Sequence, residues 1–248
     1  MRVLMPLPDH GFDVTEVAVP WDMLTRAGHD LVFATERGDG TPAADPLLLR
    51  GVLMGRLGAR PEPIACYRRL ERSEEFRRPL AWSALPVTEF DGLILPGGHA
   101  PEMRQYPGSA TLRERVAEFW KLDRPVAAIC HGVLVLARTR EATGQSLLAG
   151  KRTTCLPKYM ERGAYYITAW KLGTYYRTYP AYVQDEVTAA LGDSRLFARG
   201  PLSLRRGTSG DHGDAFVVRD GNYLSARWPG DAYLFAQQFT KMLGNAAG

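Results

Sequence analysis

The strongest chemical signal in the sequence is a cysteine at the junction of two apolar runs. Cys130 and His131 follow the run 125–129, and after Gly132 a second run covers 133–137. An apolar run that continues directly into a helical pattern predicts a sharp strand-to-helix turn with the cysteine at its apex. Because a helix N-terminus favours negative charge, we expect the Cys130 thiol to be more acidic than a free thiol and to act as a nucleophile. A buried cysteine without a chemical role is the alternative reading.

Two adjacent glycines, Gly97 and Gly98, end another apolar run that begins at Asp91. Ligands of an open parallel sheet bind where loops leave the carboxyl ends of the strands, so we expect this turn and Cys130 to share one edge. The backbone N–H groups of the two glycines and of His131 are then candidates for an oxyanion hole. An ordinary tight turn is the alternative for Pro-Gly-Gly.

Glu16 is a candidate proton partner for the thiol, because the first loop after a strand opens onto the same edge. The spacing from Asp13 to Glu16 is also that of a helix N-cap and the third helical residue, which would give Glu16 a structural role. Pro20 argues against a helix that begins so early. Spacing alone leaves both roles open.

The remaining histidines and one arginine are weaker candidates. His99 follows the glycine pair and either contacts the substrate or lies on a surface loop. Arg227 leads from a predicted hairpin into the last helix and is a candidate substrate contact. The other three histidines show no metal-ligand spacing, and no metal site is predicted; they are His10, His29 and His212.

Strand-like and helix-like runs alternate along the chain, which predicts an α/β fold on a parallel sheet. Strands are expected at 2–7, 30–35, 91–96, 125–129 and 151–156, and helices at 14–27, 109–120, 133–139, 180–191 and 231–243. Asp220-Gly221 predicts a hairpin. Residues 38–87 interrupt the pattern and are interpreted as an insertion that caps the sheet edge, with one helix near 69–76.

The composition of the 248 residues, 45% hydrophobic and 23% charged, is typical of a globular protein. No apolar run approaches the roughly 18 residues of a membrane span, and the N-terminus does not fit a signal peptide. The three cysteines have no short spacing, which favours a reducing cytoplasm. Eight arginines between 50 and 78, Arg56 among them, favour a solvated helical face, and no nucleic-acid motif accompanies them.

Three segments carry a resemblance to a known family. GLILPGGHA (92–100) and PVAAICHGVLVLA (125–137) resemble the ThiJ/PfpI superfamily, and HGFDVTEVAVPWDML (10–24) is similar to its first loop with an acidic residue. The insertion at 38–87 and the aromatic segment at about 158–191 resemble the larger branch, which includes heat-shock chaperones and glyoxalase III enzymes. The resemblance implies a flavodoxin-like three-layer sandwich, one domain over 1–248 and a homodimer.

The resemblance also implies roles for the site residues. Cys130 would be the nucleophile, Glu16 would share a proton with it, and His131 would be the neighbouring acid/base. Gly98 and the His131 amide would bind the oxyanion, with Gly97 and Gly132 placed beside them as binding residues. In glyoxalase III-like chemistry, the thiolate converts a 2-oxoaldehyde into a 2-hydroxy acid without a metal or an organic cofactor.

One position departs from the pattern of the larger branch, and it leaves other functions open. Lys158 stands where an acidic residue usually orients the histidine, and Glu161, Asp185 or Asp211 are possible substitutes. A stress-responsive chaperone or redox sensor that oxidises Cys130 is one alternative function. An amidase, hydratase or lyase for a specialised metabolite is the other.

Overall fold

The computed structural model describes residues 1–52 and 57–246. In these ranges nine strands occur: β1 (Arg2–Pro6), β2 (His10–Phe12), β3 (Asp30–Thr35), β4 (Ala43–Ala44), β5 (Leu80–Ala81), β6 (Gly92–Leu95), β7 (Val126–Ile129), β8 (Val217–Asp220) and β9 (Tyr223–Ala226). The same ranges contain ten α-helices: α1 (Val14–Arg26), α2 (Pro46–Arg50), α3 (Pro61–Leu70), α4 (Glu74–Arg77), α5 (Gln105–Gly108), α6 (Ala110–Trp120), α7 (Val133–Arg138), α8 (Lys158–Leu172), α9 (Val183–Ala190) and α10 (Ala232–Ala246).

Seven of the strands form one sheet in the order β5-β3-β1-β6-β7-β9-β8. Every neighbouring pair is parallel except β8 and β9, which form the antiparallel hairpin expected around Asp220-Gly221. The central strands β6 and β7 are buried along their whole length, as expected for a parallel sheet covered on both faces. The predicted α/β class and mostly parallel sheet are confirmed.

Helices pack in two groups around this sheet. Helix α1 packs against α3 and α10, whereas α7 packs against α5, α6 and α9. The flanking helices confirm the flavodoxin-like sandwich. Because β1, β6 and β7 are parallel neighbours, the loops after all three leave the sheet at the same edge, and these loops carry the three segments that the sequence singled out.

Several predicted elements are wrong in extent. No strand forms at 151–156, where Thr153 makes only an isolated bridge to Phe197. The helix expected near 69–76 begins earlier: Pro61, in the first turn of α3, sets its start, and α3 ends at Leu70. The helix expected from Pro180 begins at Val183.

The insertion at 38–87 adds an edge strand and covers part of the sheet. Strand β5 extends the sheet beyond β3, and α3 packs on α1. Three of its arginines form ion pairs on the surface: Arg68 with Glu71, Arg69 with Asp22 and Arg78 with Glu74. Arg56 lies outside the described residues. Among the described residues, no helix has both the length and the hydropathy that a bilayer crossing requires.

Candidate active site

Cys130 lies at the apex of a strained strand-to-helix elbow. Strand β7 ends at Ile129, Cys130 has a φ of 57°, and α7 begins after one short turn. A positive φ costs a non-glycine residue free energy, so the surrounding packing must hold this conformation. A Cβ on Gly132 would lie 2.0 Å from the carbonyl oxygen of Leu95. Gly132 therefore allows the elbow to pack against β6, which is a structural role, and its expected contact with substrate stays a prediction.

Glu16 points into the site while a neighbouring residue caps its helix. The Asp13 carboxylate accepts the N–H groups of Thr15 at 2.7 Å and Glu16 at 3.1 Å. The Glu16 side chain is fully buried, and its Oε2 accepts the N–H of Gly97 at 2.8 Å. The prediction that Pro20 would not allow a helix to begin so early is wrong, because α1 starts at Val14 and continues through this proline.

Gly97 brings the three separate parts of the site together. A Cβ on Gly97 would stand 2.6 Å from the His131 nitrogen, 2.9 Å from Glu16 Oε2 and 3.0 Å from Cys130 Cβ. Only a glycine allows this approach. The Gly97 N–H is bound to Glu16 and so is not free for an oxyanion, whereas no oxygen of the described residues accepts the Gly98 N–H.

His131 is the immediate partner of the thiol. Its Nδ1 lies 3.4 Å from Cys130 Sγ, and among the described residues its buried Nε2 has no hydrogen-bond partner. None of the three expected substitutes binds that nitrogen. Glu161 accepts the N–H of Val183, Asp185 pairs with Lys158 and Asp211 pairs with Arg205. The described residues thus hold a Cys–His pair without an orienting carboxylate.

His99 is half-buried, and its ring packs into the site instead of pointing freely into solvent. Its ring centroid is 4.7 Å from that of His131 and 5.1 Å from that of Tyr176. One ligand atom from each of His99, Cys130 and His131 lies within 4.8 Å of the others. Two imidazoles and a thiolate suit Zn²⁺ or another thiophilic cation. Sequence spacing did not predict this cluster, because His99 and His131 come from different loops.

Burial controls the ionisation of the site. It raises the pKa of the Cys130 thiol well above its ordinary value, and the negative charges of Glu16 and Asp13 raise it further. The pKa of Glu16 is raised as well, first by burial and then by the negative charge of Asp13. The expectation of an unusually acidic thiol is therefore wrong for this buried site. Because each anion disfavours the other, we expect Cys130 and Glu16 to carry at most one negative charge between them.

The imidazoles of the site are neutral at physiological pH. Burial lowers the pKa of His99 to about 4. The pKa of His131 is also lowered, first by burial and then by the charges of His99 and Arg138. A neutral His131 can accept the thiol proton, which is what a general base next to a nucleophile requires.

A cavity of about 390 Å³ leads to His99 from the outside. Much of its wall is apolar, and α8 contributes five residues to it: Tyr159, Met160, Gly163, Ala164 and Ile167. Cys130 itself is fully buried, so substrate that enters the cavity meets His99 and Asp13 before it reaches the sulfur. The aromatic segment at 158–191 thus covers the site, as a cap would.

Arg227 does not face this cavity. Its guanidinium is buried, forms an ion pair with Asp231 at 2.8 Å and donates to the carbonyl oxygens of Pro201 and Asp214. These bonds tie the loop before β8 to the start of α10, so Arg227 has a structural role instead of the expected substrate contact. Among the described residues, the arginine that lines the cavity is Arg206, which sequence analysis missed because no periodicity or motif marks its loop.

Three comparisons relate this chain to known proteins. A family model described as ThiJ/PfpI family-like matches residues 7–201. An uncharacterised protein of Schizosaccharomyces pombe is 31% identical, over 99% of this chain and 85% of its own length. A deglycase of Pyrococcus abyssi is 27% identical, over 98% of this chain and 99% of its own. The crystal structure of glyoxalase III from Candida albicans matches with a TM-score of 0.71 at 20% identity, over 98% of this chain and 97% of its own.

Proposed function

The chain belongs to the ThiJ/PfpI family, and we propose that it is an enzyme that converts a reactive 2-oxoaldehyde into a 2-hydroxy acid through Cys130. The observation that carries this proposal is that the Cys130 and Glu16 side chains meet at Gly97, while the neutral His131 imidazole lies 3.4 Å from the Cys130 sulfur. A nucleophile, a proton carrier and a base within reach of one another are the parts that such a reaction needs.

The first step is addition of the thiol to the aldehyde. The thiol proton passes to Nδ1 of His131 as the sulfur attacks, a C–S bond forms, and the carbonyl electron pair moves to oxygen. The Gly98 N–H stabilises this oxyanion. His131 then returns its proton to the oxygen, which gives a neutral hemithioacetal and a neutral imidazole.

The second step moves a proton between the two carbons. The Glu16 carboxylate takes the proton of the former aldehyde carbon, and the electron pair left behind forms an enediolate whose negative charge lies on the neighbouring oxygen. The hydroxyl proton on the first carbon then passes to that oxygen. Glu16 returns the proton to the second carbon, which yields a thioester of the 2-hydroxy acid. Water finally attacks the thioester, the C–S bond breaks, and the thiol and the free acid are released. A raised pKa suits Glu16 to this role, because its carboxylate is then a stronger base.

A deglycase is the second candidate function. In that reaction the same thiol would attack a carbonyl adduct instead of the free aldehyde. The Pyrococcus abyssi relative is named a deglycase, and a cavity of about 390 Å³ has room for more than a three-carbon aldehyde. The amidase, hydratase and lyase alternatives rest on the same cavity.

A redox sensor fits the geometry less well than an enzyme. Reversible oxidation favours an accessible cysteine with a low pKa. Cys130 is fully buried and burial raises its pKa, which disfavours direct attack by peroxide. We therefore propose catalysis as the main role of this thiol.

We also propose that the enzyme works as a cofactor-free homodimer in a reducing compartment. All three cysteines are free thiols, which is consistent with a reducing environment. Two side chains of α8, Tyr166 and Trp170, are 61% and 77% exposed. Large exposed aromatic side chains are typical of a contact surface. Light scattering of the wild type and of Trp170→Ser measures the assembly state.

The direct test is production of lactate from methylglyoxal by the purified protein without added metal or cofactor. We expect wild type to form lactate and Cys130→Ser to form none while keeping its fold by circular dichroism. The same proteins incubated with amino acids pretreated with methylglyoxal test the deglycase candidate. A fully active Cys130→Ser would overturn both.

A further inference from the structure

Arg206 lies in the wall between two cavities. It lines the cavity of about 390 Å³ that leads to His99, and it also lines a second cavity of about 280 Å³. Pro229 borders both cavities as well. The two cavities are therefore neighbours that share part of one wall.

The Arg206 guanidinium has no partner among the described residues. Neither a hydrogen bond nor an ion pair within 4.0 Å connects it to any of them, although it stacks 5.5 Å from the ring of Trp228. The charge of Asp13 acts on it, but their atoms do not come within ion-pair distance. A half-buried guanidinium without an anion next to it has all of its donors available for the negative charge of a ligand.

A second arginine faces the same space. Arg60 lines the 280 Å³ cavity, and its charge is close enough to lower the pKa of Arg206, in addition to the larger effect of burial. Among the described residues, the Arg60 guanidinium also has no hydrogen-bond or ion-pair partner. Glu62 lines this cavity too, and it accepts the hydroxyl of Ser209 at 3.2 Å. Two guanidinium groups against one carboxylate leave this cavity with a net positive charge.

We propose that Arg206 and Arg60 form an anion-binding subsite at the end of the active-site cavity, which takes a carboxylate or phosphate group of the carbonyl substrate. This inference rests on the proposed function and specifies the class of substrate. Guanidinium groups bind such anions by paired, charge-assisted hydrogen bonds. The substrate would then have a reactive carbonyl at one end, an apolar middle along α8, and an anion at the other end.

A matched pair of 2-oxoaldehydes tests the subsite. 4,5-Dioxopentanoate carries a free carboxylate and its methyl ester does not, while the reacting carbons are the same. We expect wild type to prefer the acid, and Arg206→Gln to lower kcat/KM for the acid about tenfold or more, chiefly through KM. Turnover of the ester should change less than about twofold, because only the lost charge matters. A phosphorylated 2-oxoaldehyde, 3-phosphooxy-2-oxopropanal, identifies which anion the subsite prefers.

Three further variants separate charge from folding. Arg206→Lys should restore part of the preference, since it keeps the charge and loses the fork of donors. Arg60→Gln should reduce the preference for the acid less than Arg206→Gln does. Arg26 forms a surface ion pair with Asp22 near the end of α1. Arg26→Gln should therefore leave the preference for the acid unchanged. An unchanged preference in both Arg206→Gln and Arg60→Gln would overturn the subsite.

A binding measurement distinguishes failure of the subsite from failure of the proposed function. The product of 4,5-dioxopentanoate would be 2-hydroxyglutarate, which calorimetry can titrate without any turnover. We expect wild type to bind it at least about tenfold more tightly than Arg206→Gln does. Tighter binding by wild type without turnover would overturn the proposed reaction and support the subsite. Turnover of the ester, with equal binding of 2-hydroxyglutarate by wild type and Arg206→Gln, would support the reaction and overturn the subsite.

Discussion

The protein buries two cysteines beside two glutamates, and only one of the pairs is arranged to react. Cys130 with Glu16 and Cys155 with Glu161 are all almost completely buried. Burial raises the pKa of both thiols, and in each case the nearby glutamate raises it further. Burial and a carboxylate neighbour are therefore not what makes a cysteine catalytic.

The difference lies in the backbone and in the base. Cys130 has a strained φ at the end of a strand and an imidazole nitrogen 3.4 Å from its sulfur. Cys155 lies in a loop, and its thiol donates to the carbonyl oxygen of Leu156 at 3.7 Å. Glu161 accepts the N–H of Val183 at the start of α9, which gives it a structural role. The comparison indicates that a strained elbow and a neighbouring base decide reactivity.

Removing each sulfur should give the largest contrast. Cys130→Ser should lower kcat for a 2-oxoaldehyde by about 10³-fold or more, because it removes the nucleophile. Cys155→Ser should keep kcat within about twofold. Steady-state lactate production measures both. Equal losses in the two variants would mean that the sulfur acts only through packing.

Removing each carboxyl charge should give the next largest contrast. Glu16→Gln should lower kcat about 10²-fold or more, because an amide cannot move the proton between the carbons. Glu161→Gln is the matched control, since its amide oxygen can still accept the Val183 N–H, and it should keep kcat. If Glu16→Gln retains full activity, another group must carry the proton.

We expect the ionisation of Glu161 to affect the pH dependence of the free energy of unfolding instead. Burial raises its pKa from 4.5 to about 7, so the folded protein binds its proton more tightly than the unfolded chain does. The stabilisation of the fold by protonated Glu161 is complete below the unfolded pKa and is lost as pH rises through about 7. This loss lowers the free energy of unfolding by up to about 3 kcal/mol. Denaturant unfolding should show this loss in wild type and a flatter profile in Glu161→Gln. Identical profiles would show that Glu161 does not titrate in this range.

A thiophilic metal should distinguish the two cysteines with a smaller effect. His99 and His131 place imidazole nitrogens near Cys130, whereas no such group lies near Cys155 among the described residues. We expect Zn²⁺ to lower turnover several-fold and a chelator to restore it, while a chelator alone has no effect. Co²⁺ should give a thiolate charge-transfer absorption that is lost in Cys130→Ser and kept in Cys155→Ser. A loss of activity on chelation alone would contradict the cofactor-free proposal.

Local signals were sufficient to predict much of the framework. The strand expected at 30–35 matches β3, and the hairpin at Asp220-Gly221 forms as expected, because apolar patterning and turn residues act over a few positions. Elements with weak local signals were misplaced. The 151–156 segment contains apolar residues but finds no strand partner beyond one bridge, and pairing is a property of the whole sheet.

The sequence by itself determined the elbow, the glycine turn and the first helix, since residues close in the chain specify each of them. Only the tertiary structure decided that Gly97 binds Glu16, that Arg227 is neutralised by Asp231, and that Arg206 faces the cavity. It also reversed the expected acidity of the thiol, because desolvation depends on how every layer of the fold covers Cys130. Local sequence specifies which groups are available, and long-range packing determines their partners and their charge.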